Sequence, residues 1–260
     1  MALRLEGVAK RFHAGSADER VALDQVTLDL PEGGFMIVIG SNGSGKSTLL
    51  NVVSGHVPLD AGTVRIDGRE VGPTPEHERS ALVARVLQDP LRGTFSTMTL
   101  EENLALADMR TRGRSLAPAV TAARRHRFAQ ALAVFGLGLE HRLQARAGLL
   151  SGGQRQVLAL AMAVLNPPRV LLLDEHTAAL DPRTAQLVMD ATLRAVAAAR
   201  ITTVMVTHNM QSAITYGDRL VMMDAGRIRL DVGGAEKQAM TVEALVKRFH
   251  IADDKMLLST

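Results

Sequence analysis

The sequence has no cysteine and no tryptophan, and aromatic residues make up only 3% of its 260 residues. The absence of cysteine excludes disulfides and thiolate metal sites, and it suits a reducing compartment. So few aromatic rings argue against a stacking surface for single-stranded nucleic acid. No uninterrupted apolar run approaches the roughly twenty residues that cross a bilayer, and the first residues lack the pattern of a signal peptide. We therefore expect membrane attachment to come through a partner.

The charge of the sequence is mildly positive. The formal net charge is +3 at pH 7, and the calculated pI is near 9.7. Much of the excess lies in residues 110–127, among them Arg112, Arg114, Arg124 and Arg125. Nucleic acid and anionic lipid are alternative partners for such a stretch. We interpret it as a solvated face close to a membrane, with no nucleic-acid partner.

A glycine-rich loop follows a buried-strand pattern at Phe35–Ile39 and precedes a predicted helix. Its G-x-x-x-x-G-K-S spacing lets backbone amides point at phosphate oxygens, and the helix N-terminus adds a positive field. Lys46 is placed to neutralise phosphate charge, and the Ser47 hydroxyl suits Mg²⁺. The predicted phosphate loop consists of Gly40, Ser41, Asn42, Gly43, Ser44, Gly45, Lys46, Ser47 and Thr48.

A phosphate loop alone leaves kinases, GTPases, helicases and transport ATPases open. A second apolar run, Val170–Leu173, leads into Asp174 and Glu175. Open α/β sheets bind ligands at the carboxyl ends of their strands. Asp174 is therefore the candidate for holding Mg²⁺ or its water shell, and Glu175 the candidate for polarising the attacking water.

Two further predicted strands also end in polar residues. Thr203–Thr207 leads into His208, whose neutral imidazole can both donate and accept hydrogen bonds to a γ-phosphate and a water. Val83–Leu87 leads into Gln88, whose amide can ligate a metal and position water. Taken singly, each also fits an ordinary polar residue at a strand end.

A second glycine-containing string occupies residues 150–154 and precedes an apolar, helix-like stretch. Ser151 is a suitable N-cap, and Gly152 and Gly153 leave room for close approach. Amides at such a helix start attract anions. Gln154 completes the string.

Taken in order, these motifs resemble those of ABC-transporter ATP-binding subunits, and the resemblance spans nearly the whole chain. It makes the phosphate loop the Walker A motif, Gln88 the Q-loop, residues 150–154 the signature, residues 170–174 the Walker B motif, residues 179–181 the D-loop and His208 the H-switch.

The resemblance implies that ATP and Mg²⁺ are the ligands. Ser47, Gln88 and Asp174 would hold the metal, and Glu175, His208 and Gln88 would act in catalysis. The signature would face the γ-phosphate held by a second copy in a head-to-tail dimer. Phe12 takes the position of an aromatic ring that stacks on adenine, with a place in the core as the alternative.

The implied fold is a single α/β ABC ATPase domain spanning residues 1–260. It combines a RecA-like P-loop NTPase core, with a mixed sheet and an antiparallel β layer, and an inserted helical subdomain. Residues 1–88 and 156–235 would form the core and β layer, residues 89–155 the helical subdomain with the signature, and residues 236–260 a C-terminal helix and tail.

Local patterns predict individual elements. Asp67 and Gly68 mark a hairpin turn, and Thr99 with Glu102 forms a capping box. The remaining predictions are strands at Leu3–Val8, Val21–Leu30, Arg219–Asp224 and Ile228–Val232, and helices at Leu100–Ala107, Ala119–Phe135, Pro182–Ala199, Asn209–Tyr216 and Thr241–His250.

One residue departs from the family pattern: His176 stands where a proline usually follows the catalytic glutamate. We expect it to tune the loop without changing the reaction. With residues 88–94 and 206–210, it resembles the ATPases of tryptophan/tyrosine-type importers, which work with a permease and an extracytoplasmic binding protein. We therefore expect ATP-driven uptake of a small solute, of the amino-acid or aromatic kind, at the cytoplasmic face of the bacterial inner membrane.

Other functions share part of this pattern. An exporter or a lipid-extraction ATPase would use the same chemistry. A chromosome- or ribosome-associated ABC protein would need a coiled-coil insertion or a second cassette, and the sequence has neither. The signature string weighs against a P-loop kinase.

Overall fold

The computed structural model describes residues 1–110 and 118–248, and the chain divides into two compact units. The first unit contains Met1–Arg79 and the segment that starts at Thr202, and the second contains Ser80–Ile201. The second unit is larger than the expected helical subdomain of residues 89–155, because it also includes strands.

The elements follow one another as strands β1 (Leu3–Phe12), β2 (Arg20–Leu30) and β3 (Phe35–Gly40), helix α1 (Lys46–Ser54), strands β4 (Ala61–Ile66) and β5 (Arg69–Glu70), helix α2 (Glu76–Arg79), strand β6 (Val83–Val86), helices α3 (Leu100–Asp108), α4 (Ala122–Ala133) and α5 (Gly152–Val164), strand β7 (Val170–Asp174), helix α6 (Pro182–Ala199), strand β8 (Thr202–Val206), helix α7 (Met210–Thr215), strands β9 (Arg219–Asp224) and β10 (Arg227–Gly233), and helix α8 (Gly234–Gln238). Short 3₁₀ helices lie at Leu139–His141 and Ala147–Leu149. None of the helices in the described ranges combines the length and apolar character that a bilayer crossing requires.

The first unit contains an antiparallel sheet with strand order β2-β1-β4-β5. It also contains β3 in parallel pairing with β8 and β9, with β10 antiparallel to β9. Every residue of β3 and β8 is buried, as expected for strands of a parallel sheet that is covered on both faces. The mixed and antiparallel sheets predicted from the sequence are confirmed.

The antiparallel sheet confirms one local prediction and extends another. Asp67 and Gly68 both have positive φ, 49° and 76°, as a two-residue primed turn between β4 and β5 requires. The first strand was expected to end at Val8, but β1 continues to Phe12, because irregularities in its register let it keep pairing with β2. Phe12 is the partner of Arg20 in that pairing.

The second unit places parallel strands β6 and β7 with helices α3 to α6. The predicted capping box is present, since Thr99 and Glu102 exchange hydrogen bonds at the start of α3. The helix expected at residues 119–135 is shorter and begins after Thr121, whose hydroxyl accepts a hydrogen bond from the Arg124 amide. Its buried residues are Phe128 and Leu132.

The basic stretch is largely engaged inside this unit. Arg125 donates to Glu101 at 2.6 Å, and Arg127 donates to the buried Asp108 at 2.6 Å. Arg110 and Arg127 also donate to backbone carbonyls in the last turn of α5 and just after it. Arg125 is exposed, as expected of a solvated face, whereas Arg110 and Arg127 are half-buried and connect α3, α4 and the end of α5. Arg112 and Arg114 lie outside the described residues.

At the C-terminal end, residues 242–248 are helical. The Thr241 hydroxyl accepts a hydrogen bond from the Ala244 amide at 3.1 Å, so Thr241 caps the start of this helix. The rest of the helix predicted up to His250 lies outside the described residues.

Arg79, the last residue of α2, is a buried cation that contacts the C-terminal end of α1, the helix that follows the phosphate loop. It is 1% exposed, and its guanidinium donates to the carbonyls of Val52 and Val53 in the last turn of α1, at 2.7 and 3.1 Å. It also donates to the carbonyls of Thr74 and Gly72, each at 2.7 Å. The last carbonyls of a helix lack intrahelical partners and carry partial negative charge, so a cation there is favourable. Burial lowers the pKa of Arg79, but a guanidinium stays charged in proteins.

We expect Arg79→Ala to destabilise the protein by about 3 kcal/mol or more, because four acceptors lose their donor and a buried unsatisfied acceptor costs roughly 1–3 kcal/mol. Urea unfolding of the variant measures this. The matched control is the exposed Arg69→Ala, whose effect should stay within about 0.5 kcal/mol. Equal, small effects for both variants would contradict the role given to Arg79.

Candidate nucleotide-binding site

The phosphate loop lies in the first unit, between β3 and α1. Gly45 is the N-cap of α1 and has φ of 105°, a left-handed conformation that side chains disfavour. A Cβ at this position would also lie 2.4 Å from the Ala22 carbonyl oxygen. The final glycine of the motif is thus required both by its dihedral angle and by the neighbouring strand.

Polar groups of the loop suit a bound phosphate. The Lys46 ammonium is buried and donates to the carbonyls of Gly40 and Ser41 at 2.7 and 2.8 Å, so its charge is held within the loop. The buried Ser44 hydroxyl has no hydrogen-bond partner among the described residues. Ser47 is exposed at the first turn of α1. A positive charge, an unsatisfied hydroxyl and the amides at a helix start together fit an anion.

The strand register brings His208 to the same edge as the phosphate loop. β3 and β8 are parallel, and Val38 is the partner of Val206. Gly40 and His208 each lie two residues beyond that pair, and His208 is exposed. The first unit therefore assembles two of the predicted elements, the Walker A loop and the H-switch.

Phe12 lies at the end of β1 and is half-buried. The Lys10 ammonium lies 5.6 Å from its ring centroid, within the range of a cation–π contact. Because it is only half-buried, Phe12 is not a core residue, and part of its surface remains accessible.

In the second unit, the parallel register of β6 and β7 likewise aligns the residues that follow these two strands. Val86 is the partner of Leu173, and Gln88 and Glu175 each lie two residues further along their strands. Gln88 is exposed and Glu175 is half-buried. Asp174 is the last residue of β7. The second unit thus brings the Q-loop and Walker B residues to one sheet edge.

Arg85 is a charged neighbour of the Walker B aspartate that the sequence analysis did not single out. Its Nη2 donates to Asp174 Oδ2 at 2.6 Å, and the two side chains are 20% and 19% exposed. The ion pair orients the carboxylate from the adjacent strand. The available signal was a single arginine within the otherwise buried strand β6.

Gln156 is another residue that motif reasoning missed. It is buried on α5, and its amide nitrogen donates to the carbonyl of Leu87 at 3.2 Å. Leu87 directly precedes Gln88, so α5 fixes the backbone from which the Q-loop side chain extends.

Glu175 begins a tight turn. Its φ is 47°, in a left-handed region that non-glycine residues seldom occupy. The Ala178 amide donates to the Glu175 carbonyl at 2.9 Å, which closes a turn with His176 at its second position. Proline is favoured at that position of common turns, so the fold accounts for the residue usual in the family.

His176 itself is buried, with 2% of its surface exposed. Its Nε2 lies 3.1 Å from the Thr192 hydroxyl, which donates its own hydrogen to the Val188 carbonyl at 2.8 Å. Nε2 must therefore carry the proton and act as donor. Burial lowers the pKa of His176 to about 4. The imidazole is thus neutral near pH 7 and anchors the turn to α6.

We expect His176→Pro to keep ATPase activity and to change the pH dependence of stability. In the folded protein the pKa of His176 lies below its ordinary value. The contribution of the neutral imidazole to stability is therefore complete above pH 6.5 and is lost as the pH falls towards about 4. The difference in unfolding free energy between wild type and variant should therefore fall by on the order of 3 kcal/mol between pH 7 and pH 4. Urea unfolding at each pH measures it.

The exposed His126→Gln on α4 is the control for this experiment, and its difference from wild type should show no comparable fall. Two results would contradict the prediction. One is a difference for His176→Pro that does not vary with pH. The other is a loss of ATPase activity as large as that caused by changing Glu175.

The signature residues begin helix α5 in the second unit. The Ser151 hydroxyl accepts a hydrogen bond from the Gln154 amide at 3.3 Å, and the Gln154 side-chain oxygen accepts one from the Ser151 amide at 3.2 Å. This capping box confirms the helix start that the sequence predicts. Gly152 is exposed, whereas Gly153 is buried.

Gly153 is needed for contact between two helices. A Cβ on this residue would lie 2.1 Å from Thr184 Cγ2 on α6. The Thr184 amide in turn donates to Asp181 at 3.1 Å, which caps α6. Hydrogen bonds from Thr184 lower the pKa of Asp181. The signature and D-loop segments are thus joined at one point.

The family model described as ABC transporter matches residues 23–178, more than half of the chain. The chain therefore belongs to the ABC transporter family, and it is an ATP-binding subunit that hydrolyses ATP.

Two curated relatives illustrate the match. The chain is 40% identical over 253 residues to a tyrosine transport ATP-binding protein of Clostridioides difficile, with 96% of this chain and 99% of the relative covered. It is 38% identical over 208 residues to the sulfate/thiosulfate import ATP-binding protein CysA of Nocardia farcinica, with 80% of this chain and 59% of that protein covered.

Solved structures confirm the cassette fold. A dimeric post-hydrolysis state of the ATP-binding cassette MJ0796, bound to ADP and Pi, is 28% identical, with a TM-score of 0.75 over 89% of this chain and 98% of that chain. The ABC transporter cassette MJ1267 is 26% identical, with a TM-score of 0.80 over 95% of this chain and 98% of that chain. The RecA-like P-loop class predicted from the motifs is confirmed.

Proposed function

We propose that this ATPase drives a bacterial importer. It would bind a separate permease at the cytoplasmic face of the inner membrane and power uptake of a small, amino-acid-like or aromatic solute delivered by an extracytoplasmic binding protein. The observation that carries the proposal is the similarity to the tyrosine transport relative, which extends over 96% of this chain and 99% of that protein. The names of the sulfate/thiosulfate and spermidine/putrescine relatives support the direction of transport.

In this proposal, the phosphate loop binds the triphosphate of ATP, and Phe12 stacks on the adenine. Lys46 and the loop amides balance the phosphate charge. Ser47, Gln88 and Asp174 hold Mg²⁺, whose role is to neutralise charge that develops on the phosphates. No group of three or more His, Cys, Asp or Glu side chains suited to a metal occurs within the described residues. Mg²⁺ commonly uses one or two carboxylates together with substrate phosphates.

Glu175, His208 and Gln88 are the proposed catalytic residues. Glu175 would polarise a water whose oxygen bonds to the γ-phosphorus, while the bond to the oxygen bridging the β- and γ-phosphates breaks and ADP leaves. His208 would contact the γ-phosphate and the water, because a neutral imidazole can donate to one and accept from the other. Gln88 would position the water and ligate the metal.

We further propose that two copies form a head-to-tail dimer, in which Ser151, Gly152, Gly153 and Gln154 of one copy complete the ATP site of the other. The start of α5 supports this proposal, since Ser151 and Gly152 are both exposed. Leu149, immediately before the signature, is 72% exposed. An apolar side chain and a helix N-terminus exposed side by side suit a surface that covers bound nucleotide.

We expect Glu175→Gln to bind ATP and remain a dimer, but to turn over about 10²–10⁴ times more slowly, because the amide cannot act as a base. Size-exclusion chromatography with ATP and phosphate-release assays measure the two effects. Glu236→Gln, on the exposed surface of α8, is the control and should behave as wild type. ATP held by a monomer, or normal turnover by the variant, would be incompatible with the proposal.

The segment after Gln88 is the proposed contact with the permease. Two apolar side chains in it, Leu91 and Phe95, are 56% and 53% exposed. Its backbone is nevertheless fixed, since the Phe95 amide donates to the Asn103 side chain at 2.8 Å. A surface cavity of about 180 Å³ adjoins it, lined in part by Asp89, Pro90 and Gly93. Exposed apolar groups on an ordered loop are typical of protein contacts.

We expect Leu91→Cys and Phe95→Cys to form crosslinks to the permease in the assembled complex. Because the sequence has no cysteine, each introduced thiol is unique. Val134→Cys, exposed after α4, is the control and should not crosslink. Equal crosslinking from all three positions would remove support for this contact.

Mass spectrometry of the solute on the copurified binding protein tests the cargo, and an inorganic anion or a polyamine there would contradict an amino-acid-like or aromatic solute.

A further inference from the structure

Arg20 connects the end of the antiparallel sheet to the phosphate loop. It is the first residue of β2, exposed, and the register partner of Phe12 on β1. Its Nη2 donates to the carbonyl of Gly43 at 3.0 Å. Within the first unit, Arg20 thus lies between Phe12, the proposed adenine platform, and the phosphate loop.

The fold alone gives little reason for this contact. A hydrogen bond from an exposed arginine adds little to stability, because water competes for both partners and a long side chain must be ordered. The guanidinium carries five N–H donors. Within the described residues, the bond to Gly43 is the one hydrogen bond recorded for this side chain. Most of its donors therefore remain available to a ligand.

We infer that Arg20 is an additional nucleotide-binding residue, which contacts the α-phosphate of ATP. The inference rests on the proposed ATP site. If the adenine stacks on Phe12 and the loop amides hold the outer phosphates, the α-phosphate is the anionic group between them. Arg20 pairs with Phe12 at one end and touches Gly43 at the other. Guanidinium groups match phosphate oxygens in both charge and geometry.

This contact has a consequence for ligand preference. AMP, ADP and ATP all contain an α-phosphate, whereas adenosine does not. Loss of Arg20 should therefore weaken binding of all three nucleotides and leave adenosine unaffected. The loss should shrink at high salt, because the charge is exposed and screened.

The test uses Arg20→Gln in the full-length protein, with calorimetric titration of ADP, AMP and adenosine at low and high salt. We expect the Kd for ADP and for AMP to rise about tenfold at low salt, since hydrogen bonds to charged groups are among the stronger ones. Arg20→Lys should recover part of the affinity through its charge. Arg4→Gln, an exposed arginine on β1 that pairs with Glu6, is the matched control and should change Kd less than twofold.

Phosphorus NMR of bound ADP separates ligand contact from simple support of the loop. In Arg20→Gln the α-phosphate resonance should move relative to wild type, while the β-phosphate resonance stays in place. A change confined to the β-phosphate would overturn the inference, because it would mean that Arg20 only shapes the loop.

Lys46→Ala distinguishes the two levels of the proposal. If Lys46→Ala abolishes ADP binding while Arg20→Gln binds as wild type, the ATP site stands and the role of Arg20 is wrong. If Lys46→Ala binds ADP normally, the proposed ATP site itself fails, and the inference fails with it.

Discussion

The placement of the proposed site residues depends on parallel strands that end in register. In the first unit, the pairing of Val38 with Val206 sets the phosphate loop and His208 at one edge. In the second, the pairing of Val86 with Leu173 sets Gln88 and Glu175 at one edge. Parallel strands point their carboxyl ends the same way, so one hydrogen-bond ladder positions residues that lie far apart along the chain. Buried apolar strands keep that ladder fixed.

The elements that carry the motifs were predictable because each has a local signal. The strand β3, the hairpin turn at Asp67 and Gly68, the capping box of α3 and the N-cap of α5 all follow from residues adjacent in sequence. The end of β1 was not predictable, since it depends on irregular pairing with β2. The same holds for the proposed site residues. Their motifs are local and could be read from the sequence, whereas the contacts that hold them come from distant segments and could not.

Those supporting contacts arise only when distant segments meet. Arg85 reaches Asp174 from the neighbouring strand, and the imidazole of His176 binds Thr192 on α6. The sequence does show that His176 replaces a proline, but its neutral state follows from burial. Likewise, the arginines after α3 form a charged stretch in sequence, and in the fold Arg125 and Arg127 pair with carboxylates of α3. A charge pattern alone does not show whether a side chain will face only solvent or pair with another element of the fold.

The packing of Gly153 on Thr184 has a mechanical consequence. Because Gly153 has no side chain, the Thr184 methyl group packs directly on its backbone and leaves little free volume between α5 and α6, and close-packed interiors transmit displacement instead of absorbing it. Any shift of the segment capped by Asp181 is therefore passed directly to the segment capped by Ser151. The two segments would then move as one rigid body, with no loop needed to relay the displacement.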